Sequence, residues 1–120
     1  MNIGKMGEKI AKEFLVSKNF KILETNYHSR HGEIDIICEN DEYIVFVEVK
    51  SKLYSSNSEL PGRVNLSKQK KIVKTILDYI SNYEVNKQPR IDVIEVTIFP
   101  LVHKINHIEN AFNMENYEIF

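Results

Sequence analysis

The stretch GEIDIICENDEYIVFVEVKSK, residues 32–52, decides how this chain is read: two apolar runs meet at Asn40-Asp41-Glu42, as in a buried hairpin. Strands are predicted over about 33–39 and 43–50. Glu33, Asp35, Glu48 and Lys50 interrupt the isoleucines and valines where a core strand would carry more hydrophobes. Twelve residues separate Asp35 from Glu48, and one separates Glu48 from Lys50. If Asp41 and Glu42 form a two-residue loop, Asn40 faces Tyr43, Asp35 lies opposite Glu48, and Glu33 lies opposite Lys50. Facing residues have Cβ atoms about 4.5–5.5 Å apart. Side chains alternate, so all four polar groups share one face, and Ile34, Ile36, Cys38, Val45, Val47 and Val49 line the other. A loop longer by two keeps that face and shifts the pairs, whereas a slip of one residue splits the set.

Two adjacent carboxylates repel each other and are costly to dehydrate without compensation. A hard divalent cation such as Mg²⁺ (or Mn²⁺) compensates them, with Asp35, Glu48 and the Val49 carbonyl as oxygen donors. Lys50 would then stand beside an attacking water or a phosphate, orienting one or neutralising charge on the other. The plainer alternative is a ladder of ion pairs on a solvated sheet face. An isolated Glu-x-Lys is too common to carry chemistry by itself.

Outward from the hairpin, residues 4–18 repeat Met6, Ile10, Ala11, Phe14 and Leu15 at helical spacing, with Gly7 inside the stripe and Glu8 at its margin. Gly7 suggests close approach to another backbone. The run FKILETNYHSR is strand-like. After the hairpin, SKLYSSNSELPGRVNLS is polar and serine-rich, and 51–66 is expected to be a flexible loop or functional flap. A second helix is predicted over 67–83, with Asn65 or Ser67 as its N-cap, and a strand over 90–99 between two prolines. The tail LVHKINHIENAF reads as a further strand leading into a helical turn. The order α-β-β-β-α-β plus tail predicts one α/β domain over 1–120, a mixed sheet flanked by helices.

The composition, 42% hydrophobic and 28% charged, suits a globular domain and excludes disorder. The single cysteine, Cys38, excludes an internal disulfide framework and reads as a small buried hydrophobe. The four histidines show no zinc-ligand spacing with it. No apolar run approaches membrane-spanning length and the N-terminal residues lack a signal-peptide core, so a cytoplasmic protein is expected. A net charge of −1 gives no global pull toward nucleic acid. Locally, however, Lys68, Lys70, Lys71 and Lys74 crowd one segment behind Arg63.

Several separated motifs carry a resemblance: GEKIAKEFL at 7–15, GEIDII at 32–37, VEVKSK at 47–52, SKQKKI at 67–72, RIDVIEV at 90–96 and HIENAF at 107–112. In this order they resemble the PD-(D/E)xK nuclease superfamily, and more closely the YraN-like bacterial family of predicted endonucleases, which is similar to archaeal Holliday junction resolvases. The resemblance implies a restriction-endonuclease-like core with metal-binding Asp35 and Glu48 and catalytic Lys50. It adds Glu8 as the helix-borne metal ligand of the resolvase-like branch. Ile34 stands where the superfamily name has proline, a mild departure because the carboxylate holds the metal.

Glu33 belongs to the same pattern, with a place on the working face or a structural pairing with Lys50 or Arg90 both open. Gln69 is either a capping side chain or a group near the site, and Asp92, with Arg90, is expected to make supporting contacts. The resulting expectation is a Mg²⁺-dependent endonuclease hydrolysing DNA phosphodiester bonds, structure-selective or non-specific, on branched or duplex DNA. Arg63, Lys68, Lys70, Lys71 and Lys74 would hold phosphates. The alternative is a non-catalytic DNA-binding or protein-interaction module that keeps the nuclease fold. Resolvase-like proteins act as dimers, so a homodimer stays open, although no dimer patch stands out in the sequence.

Overall fold

Helix α1 (Ile3–Ser17) opens the chain in a computed structural model that describes residues 2–55 and 64–114. The Asn2 side chain accepts the Lys5 N–H at 3.0 Å, satisfying one of the amides that a helix start leaves open. At the other end Phe20 N–H reaches Leu15 O and Asn19 N–H reaches Val16 O, both at 3.0 Å, with Asn19 left-handed at φ 68°. This paired closure is how asparagine ends a helix in place of glycine. Strands β1 (Lys21–Ser29), β2 (Gly32–Glu39) and β3 (Tyr43–Leu53) follow, then helix α2 (Leu66–Asn82) and strands β4 (Gln88–Ile98) and β5 (His103–Ile108). Of the two N-cap candidates for α2 it is Asn65 that serves, accepting Lys68 N–H at 2.9 Å.

The five strands form one sheet in the order β1-β2-β3-β4-β5, antiparallel except for β3 and β4, which run parallel. The parallel pair needs a crossover, and α2 supplies it across one face while α1 covers the other. The expected α/β class and mixed sheet are present, consistent with a restriction-endonuclease-like core. The tail does form β5, and Ala111 N–H then ties back to Ile91 O at 2.7 Å.

The hairpin register is the predicted one. Ile36 faces Val47, Ile37 faces Phe46, Cys38 faces Val45, and Glu39 faces Ile44. Asn40 closes the loop: its N–H donates to Tyr43 O, and its Oδ1 accepts from Glu42 and Tyr43 N–H. Ile36, Cys38, Val45 and Val47 pack with Ala11 and Leu15 under α1, while Ile37, Ile44 and Phe46 pack with Val73 and Ile76 under α2. Burying some twenty apolar side chains in these two layers is the main favourable term in the fold. Cys38 is fully buried, and burial first, then the nearby Asp92 charge, pushes its thiol up to about 12, so it acts as the small hydrophobe expected.

Two expectations are corrected. Ile34 packs under α2 with Ile37, not under α1 with Ile36, so the alternation breaks between residues 34 and 36. Strand β3 runs on to Leu53, because each residue from Tyr43 to Leu53 has a parallel partner on β4. The stretch predicted as a loop from residue 51 therefore starts later, and residues 56–63 lie outside the described residues. Among the described residues no helix is long and apolar enough to cross a membrane.

Candidate functional site

The site forms where β2 leaves β3. One step beyond Ile36–Val47 the register would pair Asp35 with Glu48, but the backbone ladder ends there. The Val49 N–H donates instead to Asp35 Oδ2 at 2.8 Å, so a side chain finishes what the backbone began. Opposite Asp35 on the other side of β2 stands Asn26, left-handed at φ 52° between the pairs Thr25–Ile36 and Tyr27–Ile34. A non-glycine residue in that region inside a strand is uncommon, and asparagine bears it best. The twist it introduces carries Tyr27 and Ile34 toward α2 and sets Asp35 at the fork.

Helix α1 reaches the fork through Gly7. A Cβ built there would lie 1.6 Å from Ser51 Oγ and 2.6 Å from Ser51 Cβ, so helix and strand touch at a spot that only glycine allows. The next residue, Glu8, is half-buried, within hydrogen-bonding reach of Asn26 and Asp35. From α2, Lys68 Nζ forms an ion pair with Glu48 Oε1. Thus α1, β2, β3 and α2 each send one charged group to a single place.

The electrostatics are those of a site short of positive charge. Asp35 and Glu48 are 7% and 5% exposed. Burial, then the neighbouring Glu48 and Glu33 charges and a side-chain hydrogen bond with Glu48, push the Asp35 carboxyl up to about 7, against the pull of the Val49 N–H. Burial and the charges of Asp35 and Glu33 also raise Glu8, with the Asn26 amide opposing. Burial works against the Lys68 ammonium, but the Glu48 hydrogen bond and the surrounding carboxylates outweigh it and raise its pKa. Such clusters, in which neighbours push protons onto one another, occur at functional sites more often than elsewhere.

Other residues singled out in the sequence are placed as follows. Lys50 is half-buried two residues beyond Glu48, on the same face of β3. Glu33 does not face Lys50, since the ladder has already ended; it is exposed and pairs with His28 at 3.5 Å, an exposed contact of small worth. Gln69 Nε2 donates to Val64 O at 2.7 Å, tying the residue two before the start of α2 to the helix. Asp92 is fully buried away from the fork, with Arg90 Nε and Nη2 at 2.9 and 2.8 Å, His107 Nε2 at 2.7 Å and Asn110 N–H at 3.0 Å. It fastens β4, β5 and the tail, the supporting contact expected. The α2 lysines divide: Lys68 and Lys71 line a cavity of about 350 Å³ with Gly32 and Glu33, while Lys70 and Lys74 fall further round the helix. Arg63 lies outside the described residues.

A family profile described as "Uncharacterised protein family UPF0102" matches residues 7–96, which span the fork from Gly7 to beyond Asp92. The chain is 46% identical over 115 residues to a UPF0102 protein of Caldanaerobacter subterraneus subsp. tengcongensis, covering 92% of this chain and 93% of that one. It is 42% identical over 112 residues to one of Thermodesulfovibrio yellowstonii (93% and 96% covered), and 46% over 110 residues to one of Clostridioides difficile (91% and 95%). The chain belongs to the UPF0102 family.

Two residues of this UPF0102 chain join the site without having been singled out in the sequence. Asn26 was hidden in an ordinary polar strand exit; its only signal is an asparagine inside a strand. Glu95 is buried on β4 directly beside Lys50 in the parallel register, its Oε1 accepting from Asn106 Nδ2 at 2.7 Å. Its signal in the sequence is an acid inside an otherwise apolar strand, and it shares the α2-side face with Ile91 and Val93.

The donor chemistry fits a hard divalent cation: carboxylates from Glu8, Asp35 and Glu48, plus the Val49 carbonyl. Among the described residues, no three acidic, histidine or cysteine side chains already converge on a metal-binding point. Glu48 is engaged by Lys68 and Asp35 by the Val49 N–H.

Proposed function

We propose that this protein is a metal-dependent endonuclease-like phosphodiesterase acting on DNA, structure-selective or non-specific, with branched, junction and plain duplex DNA as its substrate class. The observation that carries this reading is the buried Asp35–Glu48 pair at the β2–β3 fork, with the Asp35 carboxyl pushed up and Lys68 paired with Glu48. Buried like charges without full compensation are unfavourable for stability, and a cation-binding role accounts for them. The resemblance of the Asp35, Glu48 and Lys50 pattern to PD-(D/E)xK nucleases, archaeal Holliday junction resolvases included, supports the same reading.

Asp35, Glu48, Glu8 and the Val49 carbonyl are the groups that would hold Mg²⁺ or Mn²⁺. A bound ion of this kind lowers the pKa of a water and polarises a phosphoryl oxygen. The chain's own contribution is positional. The Val49 N–H fixes one Asp35 oxygen, Gly7 lets Glu8 approach, and Lys50, beside Glu95, presents an ammonium on the Glu48 face to orient a nucleophilic water or neutralise charge on the phosphate. Lys68 and Lys71 bring positive charge from the α2 side. A homodimer suits a substrate with paired cleavage positions.

One observation favours a second reading. Glu48 is held by Lys68, and among the described residues three ligands do not already converge, as befits a DNA-binding or protein-interaction module that keeps the fold without turnover. Cleavage of junction, flapped and plain duplex DNA with and without Mg²⁺ or Mn²⁺, by wild type, Asp35→Asn and Glu48→Gln, separates the two. The nuclease reading expects metal-dependent cleavage lost in both variants, by a factor of about 10² or more. Equal cleavage by all three proteins would remove the site from where it is placed here. Steeply salt-dependent binding without turnover would favour the module.

A further inference from the structure

Helix α1 carries a second positively charged feature that the lysine cluster of α2 overshadows in the sequence. Lys5, Lys9 and Lys12 fall on one line of the helix, within a narrow arc of the wheel. All three line a cavity of about 490 Å³ between α1 and β1, whose other lining residues include Thr25, Asn26, Glu8 and Asp35. All three are exposed, and among the described residues none of them forms an ion pair. A lysine row on a convex helix face is ordinarily a solvated surface. This row instead borders a concavity that runs into the acidic fork.

We infer that this groove is the track for the phosphodiester backbone of the DNA strand entering the site, with Lys5, Lys9 and Lys12 as its phosphate contacts. The inference rests on the nuclease-like reading and deepens it by saying from which side the strand arrives. Lys5 to Lys12 spans about 10 Å of helix rise, so the row offers ammonium groups at successive points along a strand lying in the groove. The amide of Asn26 and the hydroxyl of Thr25 supply hydrogen-bonding groups across the groove. The groove thus sets three ammonium groups beside the carboxylates of Glu8 and Asp35, so phosphates are held over the lysines and the acids stay open to a cation. On the α2 side, by contrast, Lys68 is engaged with Glu48, Lys71 borders a second cavity beside Glu33, and Lys70 and Lys74 lie away from the fork. The contacts carry no base information, in keeping with structure-selective or non-specific binding.

The test is DNA affinity of the full chain as a function of salt, by fluorescence anisotropy, without divalent cation so that no cleavage intervenes. The triple variant Lys5→Gln/Lys9→Gln/Lys12→Gln is compared with wild type and with Lys18→Gln/Lys21→Gln/Lys104→Gln, which loses the same charge at exposed positions outside the groove. Each phosphate contact removed lowers the slope of log K against log salt by about 0.9, so the groove variant should lose about 2–3. The control variant should keep the wild-type slope, and all three proteins should melt at the same temperature. A groove variant that binds like wild type overturns the strand track and leaves the nuclease-like reading standing. A control variant that loses as much overturns it too, since the effect is then net charge. A wild-type chain that binds no DNA refutes the nuclease-like reading itself, and the track falls with it.

Discussion

Replacing Gly7 with alanine sets two physical effects against each other. In a helix interior the change ordinarily stabilises by about 0.5–1 kcal/mol, because alanine has less backbone freedom to lose. Here the new methyl would stand 1.6 Å from Ser51 Oγ and 2.6 Å from Ser51 Cβ. The hydroxyl can rotate away; the Cβ cannot move without its strand. Helix α1 must therefore lift from β3 by close to an ångström, and overpacking of this kind costs about 1–3 kcal/mol. The net expectation is a loss of about 1–2 kcal/mol in urea unfolding. The double variant Gly7→Ala/Ser51→Gly should recover most of it, giving a favourable coupling of about 1–2 kcal/mol. Lifting α1 also withdraws Glu8 from Asp35, so any cleavage activity should fall further than the fraction folded. A Gly7→Ala protein as stable as wild type, or one that Ser51→Gly does not restore, would refute the contact.

Asp35→Asn should change the pH dependence of stability. The native carboxyl, raised from 3.8 to about 7, keeps a proton that the unfolded chain releases, so its contribution is fully present below pH 3.8 and is lost as pH rises through about 7. The variant should lack this decline and gain on wild type by up to about 4 kcal/mol between pH 4 and pH 8; parallel unfolding curves at the two pH values would contradict the raised carboxyl. Asp92 is the opposite case. The hydrogen bonds of His107, Arg90 and Asn110 outweigh its burial and lower its pKa, so its contribution is present above pH 3.8 and is lost as pH falls through the lower native value. Asp92→Ala, which strands the Arg90 guanidinium, should cost about 3–5 kcal/mol in urea unfolding at pH 7, and a loss under 1 kcal/mol would show that the network is not needed.

The hairpin was legible because its information is local. Alternating hydrophobes and the Asn40 turn fix the register within one stretch of chain, and with it the approach of Asp35 to Glu48. The failures came where distant elements intervene. The Glu33–Lys50 pairing and the placement of Ile34 assumed that the ladder continues, whereas the left-handed Asn26 on the neighbouring strand turns β2 away at Asp35. Residues Ser51–Leu53 read as loop because they are polar at first, yet β4 keeps them in strand. Glu95 was missed for the same reason: its face is decided by the parallel partner. On the helices, Gly7 and Glu8 were legible, one as an interruption of an apolar stripe and the other as an acid at its margin.

The parallel pairing of β3 with β4 also orders events in time. Asp35 and Glu48 meet through a hairpin whose strands are neighbours along the chain, so their approach needs only a short loop to close. Glu95 reaches Lys50 only after the whole α2 crossover has been laid down, a long-range closure of the kind that slows folding. The acidic pair can therefore assemble while the lysine beside it is still without its neighbouring strand, and a partly folded chain would carry the carboxylates of the site before its β4 support.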